Sequence, residues 1–481
     1  MGEGLPIYVL VKRIVYNIVI STGARLINAA LAFIIIGFLT RYLGQTGFGQ
    51  YTTILAFLYI FTVLADLGLY SICIRDISKP GADEEKIISN AFTLRFFAGL
   101  VAFGLAPLAA WFFPYAFEVR MGILVGAIGF WLLSNNQVLM GVFQKYLQMD
   151  KVALAEVVSR LVQLGLVVFF IYEKLGFLFI VSALVGGAIV NFILVLIFIR
   201  KYIILKFSFD FSFWGQLIKE ALPLGIAAIL VMIYFKLDTV MLSFMKDQID
   251  VGIYGLAYKI LENLIFFPAM FVGLIMPLLS KHAFSNRRKF QEISQKTLDI
   301  LLIITIPLIV GVFFLSSQII NLIGGQDFIL SAGVLNILIV AVGIIFIAAL
   351  FSNMIIALKK QKALTYIYGL GAVINVLTNL IFIPRYSYYG AASTTVLTEF
   401  IVTVLMLIII YRANKTLPSF SFIFKCSFAV LIMALPLYFF RDRGLFLSIT
   451  SAALTYFGVL YLIGGLKVNE LTQIYQESAD I

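Results

Sequence analysis

Residues 14–39 read IVYNIVISTGARLINAALAFIIIGFL, a run whose one charge is Arg25. A bilayer hydrocarbon core of about 30 Å takes roughly 20 helical residues, so this run is long enough to cross it. It follows Lys12-Arg13, continues to Leu39 and lacks the short apolar core and small-residue cleavage site of a removable secretory leader. It reads as a first permanent span.

The rest of the chain repeats the pattern. Charges, Gly and Pro punctuate apolar runs at 14–39, 51–74, 87–113, 121–140, 152–172 and 175–199, then at 221–244, 251–279, 297–320, 332–358, 363–384 and 387–411, and finally at 420–440 and 445–466. The fold class this predicts is an all-α membrane protein of about 14 transmembrane helices, organised as two six-helix lobes plus two C-terminal helices. The expected divisions are an N-terminal lobe over 1–210, a C-terminal lobe over 211–415, and two extra helices with a cytoplasmic tail over 416–481.

Bulk composition agrees. The 481 residues are 62% hydrophobic and 12% charged, with a mean hydropathy of +1.06, far from the half-apolar, quarter-charged soluble profile. The net charge of +11 is scattered over many short loops and forms no stripe or arm, which argues against nucleic acid. With the N-terminus inside, inner loops hold roughly 23 Lys and Arg and outer loops about 7. A multi-pass protein of the cell membrane with both termini cytoplasmic is the expectation.

No loop exceeds about 20 residues, so a catalytic domain has no room and the function must lie at membrane depth. The single histidine, His282, lies in the basic cytoplasmic loop with no buried acid or serine near it in sequence, and no phosphate-binding glycine loop or nucleophile motif occurs in a usable context. Cys73 and Cys426 stand alone, so neither a disulfide framework nor a metal site is indicated. A non-enzymatic protein without cofactor follows, driven by an ion gradient or by substrate mass action.

Charges at membrane depth are costly, which makes them functional candidates. Asn17, Ser21, Arg25 and Asn28 form a polar stripe on span one. Span two adds Asp66, with Arg25 or Arg95 as its partner, and span three adds Arg95. Glu156 and Arg160 stand at i and i+4 in span five, equally readable as an intrahelical pair or as transport groups. The second half adds Lys236 and Asp238, then Lys259 with Glu262, Asn375 with Asn379, and the stripe Thr395, Glu399, Thr403. Guanidinium groups bind phosphate oxygens through paired charge-assisted bonds, so the excess of deep basic groups points to an anionic substrate such as a diphosphate. Arg25, Asn28, Arg95, Lys236, Lys259, Asn375 and Asn379 are the expected phosphate and sugar contacts. Asp66, Asp238, Glu262 and Glu399 are the expected ion-coupling acids, Glu399 foremost for its mid-depth place.

A short internal echo suggests two halves: Gly47-Phe48-Gly49-Gln50-Tyr51 and Asp250-Val251-Gly252-Ile253-Tyr254. Leu64-Ala65-Asp66-Leu67-Gly68-Leu69 with Arg75-Asp76 resembles the second-span motif of the polysaccharide biosynthesis proteins. These are the Wzx-type oligosaccharide flippases of the multidrug/oligosaccharidyl-lipid/polysaccharide superfamily. The run Val251 to Ile260 with Pro268 and Pro277 is similar to the family's seventh-to-eighth span region. Asn375 to Asn379, Ile383-Pro384 and Gly390 to Thr394 with Glu399 are similar to its eleventh-to-twelfth. Leu43-Gly44-Gln45-Thr46 departs locally, since the family often has Pro or an acid after that Gly.

The resemblance spans essentially the whole chain. It implies two six-helix lobes around a central cavity and export of isoprenoid diphosphate-linked oligosaccharide from the inner to the outer leaflet. Its partners would be that lipid-linked oligosaccharide, membrane lipids and a coupling cation, H+ or Na+. The alternatives are a drug or cation antiporter or a lipid II-type flippase of the same superfamily, and, further off, a membrane-embedded sugar polymerase or ligase. The deep Arg25 and Arg95 disfavour the antiporter, and the short outer loops disfavour the polymerase.

Overall fold

The computed structural model describes residues 7–66 and 68–465. Leu67 of the second-span motif, Leu466 at the end of the last span and the C-terminal tail lie outside the described residues. The described residues form α-helices and two short 3-10 turns, with no strand.

The chain falls into two compact units, Met1–Gly252 and Ile253–Ile481. The first holds α1 (Ile7–Asp66), α2 (Leu69–Ile77), α3 (Glu84–Ala110), α4 (Phe117–Lys145), α5 (Met149–Tyr172), α6 (Phe177–Ile199) and α7 (Phe211–Met245). It also takes in the start of α8 (Gln248–Leu264). The second continues with α9 (Phe266–His282), α10 (Arg287–Gly324), α11 (Ser331–Ala357), α12 (Gln361–Asn414), α13 (Phe422–Phe440) and α14 (Leu445–Leu462).

Eleven helical stretches among the described residues are long and apolar enough to cross a membrane. Two contain a break where the sequence ends one span and starts the next: Gly44 in α1 (φ 62°, ψ −173°) and Ser387 in α12 (φ 49°, ψ −129°). Beyond Ser387 the chain turns back closely enough that a Cβ on Gly390 would lie 2.6 Å from the Phe382 carbonyl carbon. Counting these breaks, and with α7 over the predicted seventh segment, helices occupy every predicted span. Large side chains such as Phe112, Phe446 and Leu454 point outward. Lipid covers such a surface, and helices satisfy their own backbone within it.

Several boundaries differ from the sequence reading, and three of them have a plain local reason. The second span breaks at Gly68, whose left-handed φ of 83° opens α2 as a separate helix. The eighth divides at Ile265, because Pro268 has no N–H to give the Leu264 carbonyl. The ninth begins ten residues early, at Arg287, where Asn286 Oδ1 accepts from Lys289 N at 3.0 Å and caps the helix. Hydropathy locates an apolar run, whereas the cap decides where the helix starts.

In the first unit α1 packs on α3, α4, α5 and α7, and α6 lies against α4 and α5. Between α6 and α7 the chain runs extended along α3. Ser89 Oγ accepts from Lys206 N (3.3 Å), Thr93 Oγ1 from Ser208 N (2.9 Å), and Asn90 Oδ1 from both Asp210 N (3.0 Å) and Trp214 Nε1 (3.1 Å). Alternate backbone donors of this connection are thus satisfied by one helix face. Asp210 caps α7; the Phe213 N–H first, and then Lys86 at 3.0 Å, hold its carboxyl below the usual carboxylate range. In the second unit α11 is enclosed by α9, α10 and α12.

The two echo pentapeptides meet. A Cβ on Gly49 would collide with the Gln248 carbonyl, lying 2.7 Å from its carbon, and one on Gly252 would collide with the Gln45 carbonyl, 3.2 Å from its carbon. Each central glycine sits on the backbone four residues before the other, and Thr53 Oγ1 adds a bond to Gln248 Oε1 at 2.8 Å.

Candidate functional site

The deep charges of the first unit form two clusters. In one, Arg95 on α3 is completely buried. It pairs with Asp66 on α1 and donates to Gln137 Oε1 (2.6 Å) and Ser134 Oγ (3.2 Å) on α4. Of the two partners open to Asp66, the structure supplies Arg95. Every polar end of this guanidinium is engaged, and the cluster ties three helices together.

The other cluster is open. Arg25 and Asn28, three residues apart on α1, share a face, and Arg25 is exposed. Asn28 Nδ2 donates to Glu156 Oε2 on α5 at 3.3 Å, which fixes the two helix faces against each other. Arg25, one turn from Asn28, thereby lies within electrostatic reach of the Glu156 carboxylate and of the Tyr70 hydroxyl. On α5, Arg160 donates to Gln163 Oε1 at 2.9 Å, while its charge also acts on Glu156. Two guanidinium groups and one carboxylate therefore converge on one wall of the first unit. Asn17, on the same stripe, serves a different purpose: it bonds Leu147 O (2.7 Å) and Met149 N (2.9 Å) and pins α1 to the α4–α5 turn.

Lys236 on α7 lies over the Tyr59 ring at 5.0 Å, and Asp238 two residues on is buried. In the second unit Lys259 and Glu262 pair at 2.7 Å along α8. Asn379 Nδ2 donates to Asn375 Oδ1 at 3.1 Å on the first leg of α12, both side chains being buried. Glu399 is buried on the second leg of α12, with the Tyr368 hydroxyl in electrostatic reach and Tyr368 itself hydrogen-bonded with Ser352 of α11. Thr394 Oγ1 and Thr403 Oγ1 are buried with no hydrogen-bond partner among the described residues.

The structure thus brings Arg25 and Asn28 to one open wall and Asn375 and Asn379 to one buried face, and locks Arg95 with Asp66. Residues that sequence reasoning missed are Gln137, Ser134, Gln163, Tyr70, Tyr368 and Ser352. They are neutral, so no insertion cost marks them, and only contact reveals them.

A family model described as "Polysaccharide biosynthesis protein" matches residues 14–283, more than half of the chain. The chain belongs to the polysaccharide biosynthesis protein family. A second model, MatE, matches residues 223–381. Among relatives, the probable low-salt glycan biosynthesis flippase Agl15 of Haloferax volcanii is 22% identical over 467 residues, covering 94% of this chain and 94% of its own. Among solved structures, the lipid II flippase MurJ in an inward closed conformation superposes with a TM-score of 0.74 at 17% identity, covering 93% of this chain and 98% of its own. An inward-facing multidrug resistance MATE family transporter superposes with a TM-score of 0.64 at 15% identity, covering 81% and 96% respectively. At these identities the structures establish the fold alone: this member of the polysaccharide biosynthesis proteins has a transporter fold of the MurJ and MATE type.

Proposed function

We propose that this family member is a flippase. It moves isoprenoid diphosphate-linked oligosaccharide from the inner to the outer leaflet for cell-surface polysaccharide assembly, by alternating access coupled to entry of a cation, H+ or Na+. It works by transport without catalysis. Family membership supports the substrate class, and the open wall of Arg25 and Asn28 carries the reading at residue level. Arg25 clamps the diphosphate through its planar fork and Asn28 assists; we assign Arg95 and Asp66 to holding helices together. Lys236, Lys259, Asn375 and Asn379 extend the head-group contacts, the two asparagines toward sugar hydroxyls. Asp238, Glu262 and above all Glu399, buried on the second leg of α12, serve cation coupling. The repeat division at 210 and 415 remains our reading of how the spans group.

Purified protein in vesicles carrying a fluorescent isoprenoid diphosphate oligosaccharide tests this, with quencher accessibility reporting leaflet exchange. Exchange is expected with wild type, and binding should fall in the order wild type, Arg25→Lys, Arg25→Ala. Charge-assisted bonds are worth about 1.5–3 kcal/mol, so alanine should bind about 10-fold to 100-fold more weakly. Lysine retains charge without the fork. A folded Arg25→Ala protein with wild-type affinity sinks the clamp. In the same vesicles Glu399→Gln should remove dependence on the cation gradient, and unchanged dependence takes Glu399 out of coupling.

Both termini are cytoplasmic in this proposal, which puts the basic start of α10 inside. Arg288→Cys in intact cells should resist an impermeant thiol reagent, whereas labelling from outside reverses the topology.

A further inference from the structure

Glu156 has no place in a simple phosphate clamp, since a carboxylate beside two guanidinium groups repels the very anion they attract. Its setting is nonetheless built: Asn28 Nδ2 holds one oxygen at 3.3 Å, Arg25 lies one turn from Asn28 on the same face, and Arg160 lies one turn along α5. Arg160 is steadied by Gln163 at 2.9 Å, and the Asn28 Oδ1 atom is buried with no partner among the described residues.

We propose that Glu156 is an internal counter-ion that occupies the Arg25–Arg160 wall in place of the substrate's diphosphate and is displaced when the diphosphate arrives. The inference rests on Arg25 being a phosphate ligand. A carboxylate offers guanidinium groups the same bidentate oxygens as a phosphate, at lower charge. While the site is empty of substrate, the Glu156 carboxylate offsets positive charge on this wall, standing within electrostatic reach of both guanidiniums. When the diphosphate binds, its greater charge takes over both guanidiniums. Once it has crossed, the returning carboxylate competes it off. Affinity is thus held down, which favours release.

The test uses the full-length purified chain in detergent with geranylgeranyl diphosphate as probe and geranylgeraniol as the phosphate-free control. Glu156→Gln keeps an oxygen to accept from Asn28 but removes the charge. It should bind the diphosphate on the order of tenfold more tightly, with a steeper loss of affinity as salt is raised, because one more cation is unscreened. Glu156→Asp keeps the charge and should stay within about twofold of wild type. Gln163→Glu places a second carboxylate against Arg160 and should weaken binding by about tenfold. It decides the matter independently if Glu156→Gln does not fold.

If Glu156 only positions Asn28, Glu156→Gln binds as wild type with an unchanged salt slope, and the counter-ion is overturned while the Arg25 clamp stands. Gln163→Glu binding as tightly as wild type overturns it equally. If neither wild type nor Glu156→Gln prefers the diphosphate over the alcohol, the clamp and the counter-ion both fall.

Discussion

Asp66→Ala is expected to abolish most of the folded yield of this protein, because it leaves the Arg95 guanidinium buried without its carboxylate. Arg95 is completely enclosed, and Asp66 is its one anionic partner among the described ion pairs. Removing one member of a buried pair typically costs about 3–5 kcal/mol, a large share of the roughly 5–15 kcal/mol that holds a domain together. Gln137 and Ser134 still accept from Arg95, but neutral acceptors do not balance its charge. The cost arises from an uncompensated charge, so removing both charges should relieve it: Asp66→Leu with Arg95→Met should recover much of the lost stability. Yield of monodisperse protein and the melting temperature in detergent read both variants. An Asp66→Ala protein that melts with wild type shows that the pair is dispensable. A double variant no better than the single shows that the hydrogen bonds, and not the charges, carry the joint.

The second large effect is expected at Gly49. A methyl group there would overlap the Gln248 carbonyl, and the atoms it meets are backbone, which cannot swing aside as a side chain would. Overpacking ordinarily costs about 1–3 kcal/mol, and a backbone clash belongs at or above the top of that range. Gly49→Ala should therefore lower the melting temperature strongly. Gly252→Ala should do so less, since its methyl would stand farther from the opposing carbonyl carbon, at 3.2 Å against 2.7 Å. Gly104 in α3 supplies the control, because a Cβ there meets nothing within 4 Å and alanine is the better helix former. If Gly49→Ala melts like Gly104→Ala, the two backbones do not cross at this distance in the membrane.

Both joints depend on contacts between residues far apart in the chain. Asp66 and Arg95 were both visible as deep charges, and Gly49 and Gly252 as matching positions of an echo. That Asp66 takes Arg95, 29 residues away, rather than Arg25, could not be seen in the chain. Nor could the contact between residues 49 and 252, or the bond from Asn28 to Glu156, 128 residues apart.

The sequence by itself determined the number and place of the spans, the membrane setting and the family. Each rests on local quantities: the length of an apolar run against bilayer thickness, the charges that interrupt it, and short motifs at the interfaces. Helix rotation and partner choice came only from the tertiary structure. In a soluble helix the polar face points to water and gives the rotation away. In a bilayer the lipid-facing and protein-facing sides are equally apolar, so the pattern leaves rotation open, and packing between helices settles which deep charge meets which.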